Sequence, residues 1–285
     1  MPLPIHDAPI LGMTIRPRVE SPKEYGNAAS FWVEYPSGLL DLTRSNRLDA
    51  NAVEPALAAG QIQIEVDGDR TVRLDPAKTA FVIIDMQNFF LHPDMRNHPT
   101  GLACVDPLLK AVPHLREKGV KTLWVNWGLT DHELTTIPPS LIRGMQKSGQ
   151  GGLGDPLPGN WGRRLMRGER NSALYGPLQD EYLKGESQGM DVWIHKNRMS
   201  AIWGPQTALD LYLQENGITT LFFAGVNADQ CVLGSVIDAY YRGYDVILVK
   251  DGTATTSPTG GLENVIYNAG NSYGFTTDSE HILRA

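Results

Sequence analysis

Cysteine is nearly absent: only Cys104 and Cys231 carry a thiol among 285 residues. Two cysteines cannot build a disulfide framework, so a reducing, cytoplasmic setting is expected and each thiol is either apolar filling or chemistry. Basic charge is in deficit, with 25 Lys and Arg against 32 Asp and Glu for a formal charge of −7. That speaks against nucleic acid as a partner, because phosphate binding needs a basic surface. The longest apolar runs, Ala80–Ile84 and Leu221–Val226, fall far short of the roughly 20 residues that span a bilayer, so no membrane is expected either. The opening Met-Pro-Leu-Pro-Ile-His-Asp lacks a basic patch before an apolar stretch, which argues against a secretory leader. Internal repeats, low-complexity tracts and Asn-x-Ser/Thr sites are missing as well. What is present is a chain with 41% apolar and 20% charged residues, enough to close a sizeable core.

Residues 1–60 are rich in Pro, Gly, Ser and Asn and show no sustained period. They read as an arm draped over something else, although Ser30-Phe-Trp-Val-Glu-Tyr35 has the composition of an isolated strand. Gln61–Val66 and Arg70–Leu74 alternate around Asp67-Gly68, a strong hairpin signal. The chain therefore divides into an extension over 1–75 and a main domain over 76–285.

From residue 79 short apolar strands alternate with helical stretches. Strands are expected at Thr79–Ile84, Val120–Asn126, Asp191–Lys196, Thr219–Ala224, Asp245–Val249 and, briefly, Ser272–Thr276. Helices are expected from an Asp106-Pro107 start to Gly119, with a kink at Pro113, then at Pro205–Asn216, Cys231–Arg242 and Gly260–Ala269. Strands apolar on both faces and alternating with helices imply an α/β fold, a doubly wound, mostly parallel sheet with helices on both faces. Residues 127–172 form a long Gly- and Pro-rich stretch, which inside a compact domain signals an active-site lid or an interface.

Ligands of such sheets bind at the carboxyl ends of the strands. Asp85 follows the first strand, Lys196 ends the third, and Cys231 stands at the start of a helix. Each has a bland reading: a turn former, a solvated lysine, a packing cysteine. Together they put a carboxylate, an ammonium and a thiol on one sheet edge. The helix dipole and the ammonium would lower the thiol pKa, so that thiolate is available near neutral pH. Asp85 could relay the proton, and backbone N–H groups of the 225–231 loop could hold an oxyanion.

The segments Val82-Ile-Ile-Asp85-Met-Gln-Asn88, His195-Lys196 with Ser200, and Ala224-Gly-Val-Asn-Ala-Asp-Gln-Cys231-Val resemble, in order and spacing, the isochorismatase-like cysteine hydrolases. The resemblance covers about residues 77 to 280 and leaves 1–70 unmatched. It implies a three-layer sandwich, an Asp85–Lys196–Cys231 triad, a cis peptide at Val226–Asn227 and an oxyanion hole from the N–H groups of Asn227 and Cys231. It further implies a substrate pocket drawing on Asn88, Phe90, Asn126, Trp127, Ser200, Trp203 and Val226. Most relatives carry Ala-Thr where this chain has Asn227-Ala228, which changes the side chains beside the oxyanion loop. Nicotinamidases bind a metal through Asp-x-His after the second strand. Asn126-Trp-Gly-Leu-Thr130 supplies no such ligands, and with Gly154-Asp-Pro-Leu-Pro158 it is closer to ureido-group hydrolases. No metal and no cofactor is expected. Members assemble as homodimers or homotetramers, and residues 1–60 would serve as an intersubunit clasp.

Other patterns carry less. Gly149-Gln-Gly-Gly-Leu-Gly154 matches a dinucleotide fingerprint but is followed by Asp155-Pro-Leu-Pro158 instead of a helix. Gly185-Glu-Ser-Gln-Gly189 matches a nucleophile elbow but runs into a strand, and reads as a turn. His92 and His98 around Asp94 suggest a metal site or, more plainly, surface loop histidines. His195, next to Lys196 on a strand, points to the opposite face and reads as packing. Cys104 reads as filler. Trp127, Trp161 and Trp203 lie on the active edge and could wall a planar substrate or pack. The expected reaction is hydrolysis of a C–N bond in a small amide, carbamoyl or ureido compound through a thioester. The alternatives are vinyl-ether hydrolysis, which needs no thiol, and a non-catalytic binding or scaffold relative.

Overall fold

Inner strands are buried along nearly their whole length, which explains why their sequences are apolar with little alternation, in a main sheet of six strands. They are β6 Thr79–Ile84, β7 Lys121–Trp127, β8 Asp191–Lys196, β9 Thr220–Val226, β10 Asp245–Ala254 and β11 Phe275–Thr277, in a computed structural model that describes residues 16–48, 53–146 and 151–285. They form one sheet in the order β11-β10-β9-β6-β7-β8, and every pairing is parallel. Strand order reverses between β6 and β9, where an open parallel sheet has its binding crevice.

The connections hold ten α-helices among the described residues: α1 Asn88–Leu91, α2 Pro99–Ala103, α3 Val105–Glu117, α4 Asp131–Leu134, α5 Pro139–Met145, α6 Pro177–Ser187, α7 Ala208–Glu215, α8 Leu233–Tyr241, α9 Gly261–Asn268 and α10 Ser279–Leu283. Arg116 of α3 reaches Asp191 and the α6 residue Glu181 on one side of β8 (2.9 and 2.7 Å). Lys196, of opposite parity on that strand, reaches Cys231 just before α8. The helices therefore cover both faces, as expected.

Several local expectations are corrected. α3 begins at Val105 after Cys104, not at an Asp106 cap, and runs on through Pro113. The 127–172 stretch is not uniformly irregular: α4 is opened by a capping box between Thr130 and Glu133, and α5 opens on Pro139. Gly185–Ser187 is the end of α6 and no free turn. A Cβ on Gly185 would meet the Asp191 carboxylate at 2.0–2.4 Å, so glycine lets α6 close on β8. Of the 149–154 motif, Gly149 and Gln150 lie outside the described residues.

The largest correction concerns the extension. β1 Lys23–Gly26, β2 Phe31–Glu34, β3 Leu39–Asp41, β4 Ile62–Val66 and β5 Arg70–Leu74 form a second sheet in the order β1-β2-β3-β5-β4. The expected hairpin is its β4–β5 pair, with Val66 opposite Arg70 across a turn where Gly68 has φ +85°. Strands of three or four residues are too short to show a period, which hides β1 to β3 in the sequence. This sheet docks on its own chain. Arg44 makes a two-pronged ion pair with Asp245, Trp32 Nε1 donates to Asp245 at 2.7 Å, and Lys250 holds Asp67 at 2.6 Å.

Candidate active site

Chain geometry at the strand ends brings the reactive groups together. Asp85 directly follows β6 and takes φ +55°, a strained setting for a residue with a Cβ. Gly225 on the neighbouring β9 has φ +118°, and a Cβ there would lie 2.0 Å from Ile84 O; no other residue lets the two strands close at this point. The Val226–Asn227 peptide is cis. A π-helical turn, Ala228–Val232, then carries Cys231 into α8. Lys196 is the last residue of β8, on the far side of β7.

Lys196 Nζ lies 2.9 Å from Asp85 Oδ2 and 3.5 Å from Cys231 Sγ, and it donates to Arg198 O at 3.1 Å. All three side chains are buried. The Asp85–Lys196 contact is an ion pair off the hydrogen-bond axis, and Oδ2 accepts no hydrogen bond from the described residues. Asp85 Oδ1 accepts from the Trp127 N–H at 3.2 Å.

Burial raises the Asp85 pKa, with the Lys196 charge working against it. The expectation of a lowered thiol pKa is corrected: burial pushes Cys231 up to about 12, although Lys196 pulls it down, and the Asp85 charge adds to the rise. The resting thiol of Cys231 is therefore neutral. A thiol held neutral in this way could react as a nucleophile only by giving up its proton, and Asp85, made more basic by burial, is the neighbouring carboxyl group.

Trp127 touches this cluster at several points. Its backbone N–H serves Asp85 and Gln87 Oε1, its ring lies 4.0 Å beneath Lys196 Nζ, and its indole N–H, buried without a hydrogen-bond acceptor among the described residues, helps draw the Cys231 pKa down. Gln87 closes the link, donating through Nε2 to Trp127 O and Ser172 O at 2.8 and 2.7 Å. Asn227 presents its side chain to His98, whose Nε2 lies 2.8 Å from Asn227 Oδ1. His98 Nδ1 accepts from the Gly101 N–H at 2.9 Å, so Nε2 carries the hydrogen and donates. The reading of His98 as a surface loop histidine is thus corrected: it is 1% exposed. The Asn227 N–H itself donates to no described carbonyl.

The remaining expected pocket residues divide. Val226 and Asn126 are fully buried, and neither amide atom of Asn126 has a described partner. Phe90 is buried beneath Arg96, and Ser200 is buried with Oγ accepting from the Ile202 N–H. Asn88 is committed to the loop through Arg170 O at 3.0 Å. Trp203 is half exposed and donates to Asn197, the residue after Lys196. His92 packs on Trp161, His195 accepts from Trp193 Nε1, and Cys104 is buried with its pKa pushed up to about 12. Among the described residues no group of three His, Cys, Asp or Glu is placed to hold a metal, and no helix is long and apolar enough to cross a membrane.

The motif match hid Gln87 in plain sight, whereas His98 and the triad-spanning role of Trp127 had no signal of their own. The cluster sets a carboxyl group and a thiol around one cation, an arrangement that nucleophilic acyl transfer can use.

The Isochorismatase domain model matches residues 79–280, more than half of the chain. A ureidoacrylate amidohydrolase from Methylobacterium radiotolerans is 25% identical over 222 residues, 73% of this chain and 79% of that protein. A protein of Arabidopsis thaliana named as a probable inactive nicotinamidase is 28% identical over 190 residues, 66% of this chain and 86% of its own length. Among solved structures, an N-carbamoylsarcosine amidase from Thermoplasma acidophilum superposes with a TM-score of 0.53 at 26% identity, covering 71% of this chain and 97% of that one.

Proposed function

Because the chain belongs to the isochorismatase family, we propose that it hydrolyses a C–N bond of a small amide, carbamoyl or ureido compound through a thioester on Cys231. The observation that carries this reading is the Lys196 ammonium standing 2.9 Å from the Asp85 carboxylate and 3.5 Å from the Cys231 sulfur. An ammonium so placed stabilises both anions that the reaction creates in turn.

In this mechanism Sγ bonds to the carbonyl carbon while its proton passes to Asp85. The oxygen that takes up the negative charge is held by the N–H groups of Asn227 and Cys231. Asp85 then gives the proton to the departing nitrogen, the C–N bond breaks, and a thioester remains. Water attacks the thioester as Asp85 takes its proton, and the sulfur leaves as a thiolate that regains that proton from Asp85. Lys196 holds Asp85 ionised between the steps and is not itself consumed. Asn126, Val226 and the neighbouring Trp127 form the inner wall of the pocket, with Phe90, Ser200 and Trp203 farther out.

The test is a screen of small amides, N-carbamoyl amino acids and ureas with ammonia detection, run on the parent protein and on Cys231→Ala. Turnover present in the first and lost in the second supports the reading. Turnover of isochorismate that survives Cys231→Ala would replace it with vinyl-ether hydrolysis, and no turnover of any class would leave a binding protein. The homodimer or homotetramer expected of the chain, and its cytoplasmic location, belong to the same proposal; sedimentation of the full chain tests the assembly.

A further inference from the structure

Buried arginines elsewhere among the described residues have carboxylate partners, Arg73 with Asp41 and Arg116 with Asp191, as do the less buried Arg44 with Asp245 and the exposed Arg242 with Asp210. Two depart from this. Arg164, 1% exposed, has its Nη1 on Gly151 O, and its Nε–H is buried with no acceptor among the described residues. Arg96 is half-buried and makes no ion pair or hydrogen bond with a described side chain; its guanidinium stacks instead on Phe89 and Phe90. The two cations share one ring, Arg164 at 4.7 Å and Arg96 at 5.0 Å from the Phe89 centroid. Asp155 attracts Arg164 from beyond ion-pair distance, its Oδ2 being engaged by the Gly152 N–H.

Two guanidiniums held together in a partly dry site, with Asp155 beyond ion-pair distance as their counter-charge among the described residues, are costly, and an anionic ligand removes that cost. Burial lowers the pKa of both, and Arg96 lowers that of Arg164 further. Arginine nevertheless stays charged. The location ties the pair to the proposed chemistry. Phe89 and Phe90 lie in α1, just after Asp85, and Arg96 is close enough to His98 to lower its pKa. His98 in turn holds the Asn227 side chain. The planar fork of a guanidinium matches the two oxygens of a carboxylate.

We propose that Arg96 and Arg164 form a carboxylate-binding site beside the Cys231 pocket, so that the substrate is an anionic amide or ureido compound whose acid group docks on Phe89's two cations. This rests on the hydrolase reading above. Neutral ureas and unsubstituted amides then lack the anchoring group.

The experiment uses the full chain and malonate as the probe. Cys231 is alkylated with iodoacetamide at pH 9, with and without malonate, and the modified peptide is followed by mass spectrometry. The readout is the protection ratio within each protein. Malonate should slow alkylation of the parent protein, and the protection should fall by about 10-fold or more in Arg96→Met, the loss expected for one charge-assisted contact. Arg96→Lys should recover part of it. Arg96 is half-buried, so its variants test the site even where Arg164→Met does not fold. In turnover, N-carbamoyl-β-alanine should be preferred over n-propylurea, and Arg96→Met should erase that preference. Malonate protection unchanged in Arg96→Met, absent from the parent protein, or matched by phosphate at equal concentration would overturn the assignment. The failure of the hydrolase reading looks different: calorimetry would still show malonate binding lost in Arg96→Met, while alkylated Cys231 would leave amide turnover intact.

Discussion

His98 and Asn227, 129 positions apart in sequence, are joined by a 2.8 Å hydrogen bond from imidazole Nε2 to the carboxamide Oδ1. The bond fixes the side chain of the residue that follows the cis peptide, one turn before Cys231, the proposed nucleophile. His98→Leu leaves a buried carbonyl oxygen without its donor, at about 1–3 kcal/mol. We expect a Tm reduced by several degrees and a loss of kcat/KM of about 10-fold or more. Asn227→Ala should lose activity with a smaller loss of stability, because there it is His98 that loses an acceptor. Equal activity in both variants would separate this pair from catalysis.

The charge on Asp85 and the charge on Lys196 act on the sulfur with opposite sign. Asp85 contributes to holding the Cys231 pKa near 12 and Lys196 counteracts it. Asp85→Asn should therefore lower the thiol pKa and speed alkylation by iodoacetamide at pH 9, while turnover falls by about 10²–10⁴-fold through loss of the proton carrier. Lys196→Met should slow both. Ultraviolet titration of the thiolate, with Cys104 replaced by Ala, measures the two shifts directly.

Trp127 meets the triad through its backbone, ring face and indole edge. Trp127→Phe keeps a ring under Lys196 and removes the indole N–H. Trp127→Leu removes the ring as well, forfeiting a cation–π contact of about 0.5–2 kcal/mol. Activity should fall in the order parent, Phe, Leu, and the thiolate titration should shift upward already in Trp127→Phe. A titration unmoved by Trp127→Phe would leave the residue as packing alone.

Histidine burial sets an acid limit. The His195 pKa is lowered from 6.5 to about 4 by burial, with Arg167 adding to the effect. His98 is lowered in the same sense, again chiefly by burial. The unfolded chain binds these protons first, so the stability is complete above pH 6.5 and drains away as pH falls toward 4. Thermal melts between pH 7.5 and 4.5 should show this decline, and His195→Gln should flatten it.

The second sheet is clipped to the first through Asp245, which receives Arg44, Trp32 and Thr220. Arg44→Met strands a buried carboxylate and should cost about 3 kcal/mol. Chemical denaturation measures it, and turnover at low temperature should be unchanged because Arg44 lies at the opposite ends of the strands from Cys231.

The parallel sheet was readable because its strands are buried on both faces, so Thr79–Ile84 and Thr220–Val226 are apolar throughout. The three site segments were readable because each couples a strand end to a reactive residue. Strands such as Leu39–Asp41 and helices such as Asp131–Leu134 were not, since three or four residues cannot establish a period and tertiary contacts decide them. The thiol pKa misled for a related reason: sequence shows the neighbouring lysine but not the depth of burial, which here outweighs it. His98, Arg96 and Arg164 lie in loops whose path follows from packing, so no spacing rule could connect them to Cys231.

The proposed reaction passes through a covalent bond between Cys231 and the carbonyl carbon of a substrate. The direct measurement is intact-mass analysis of the protein quenched in acid during turnover of an amide or ureido substrate found in the screen. A mass gain equal to the acyl or carbamoyl fragment is expected, mapped to the peptide containing Cys231 and absent from Cys231→Ala. Steady turnover by Cys231→Ala at the parent rate, with no adduct on either protein, would contradict it.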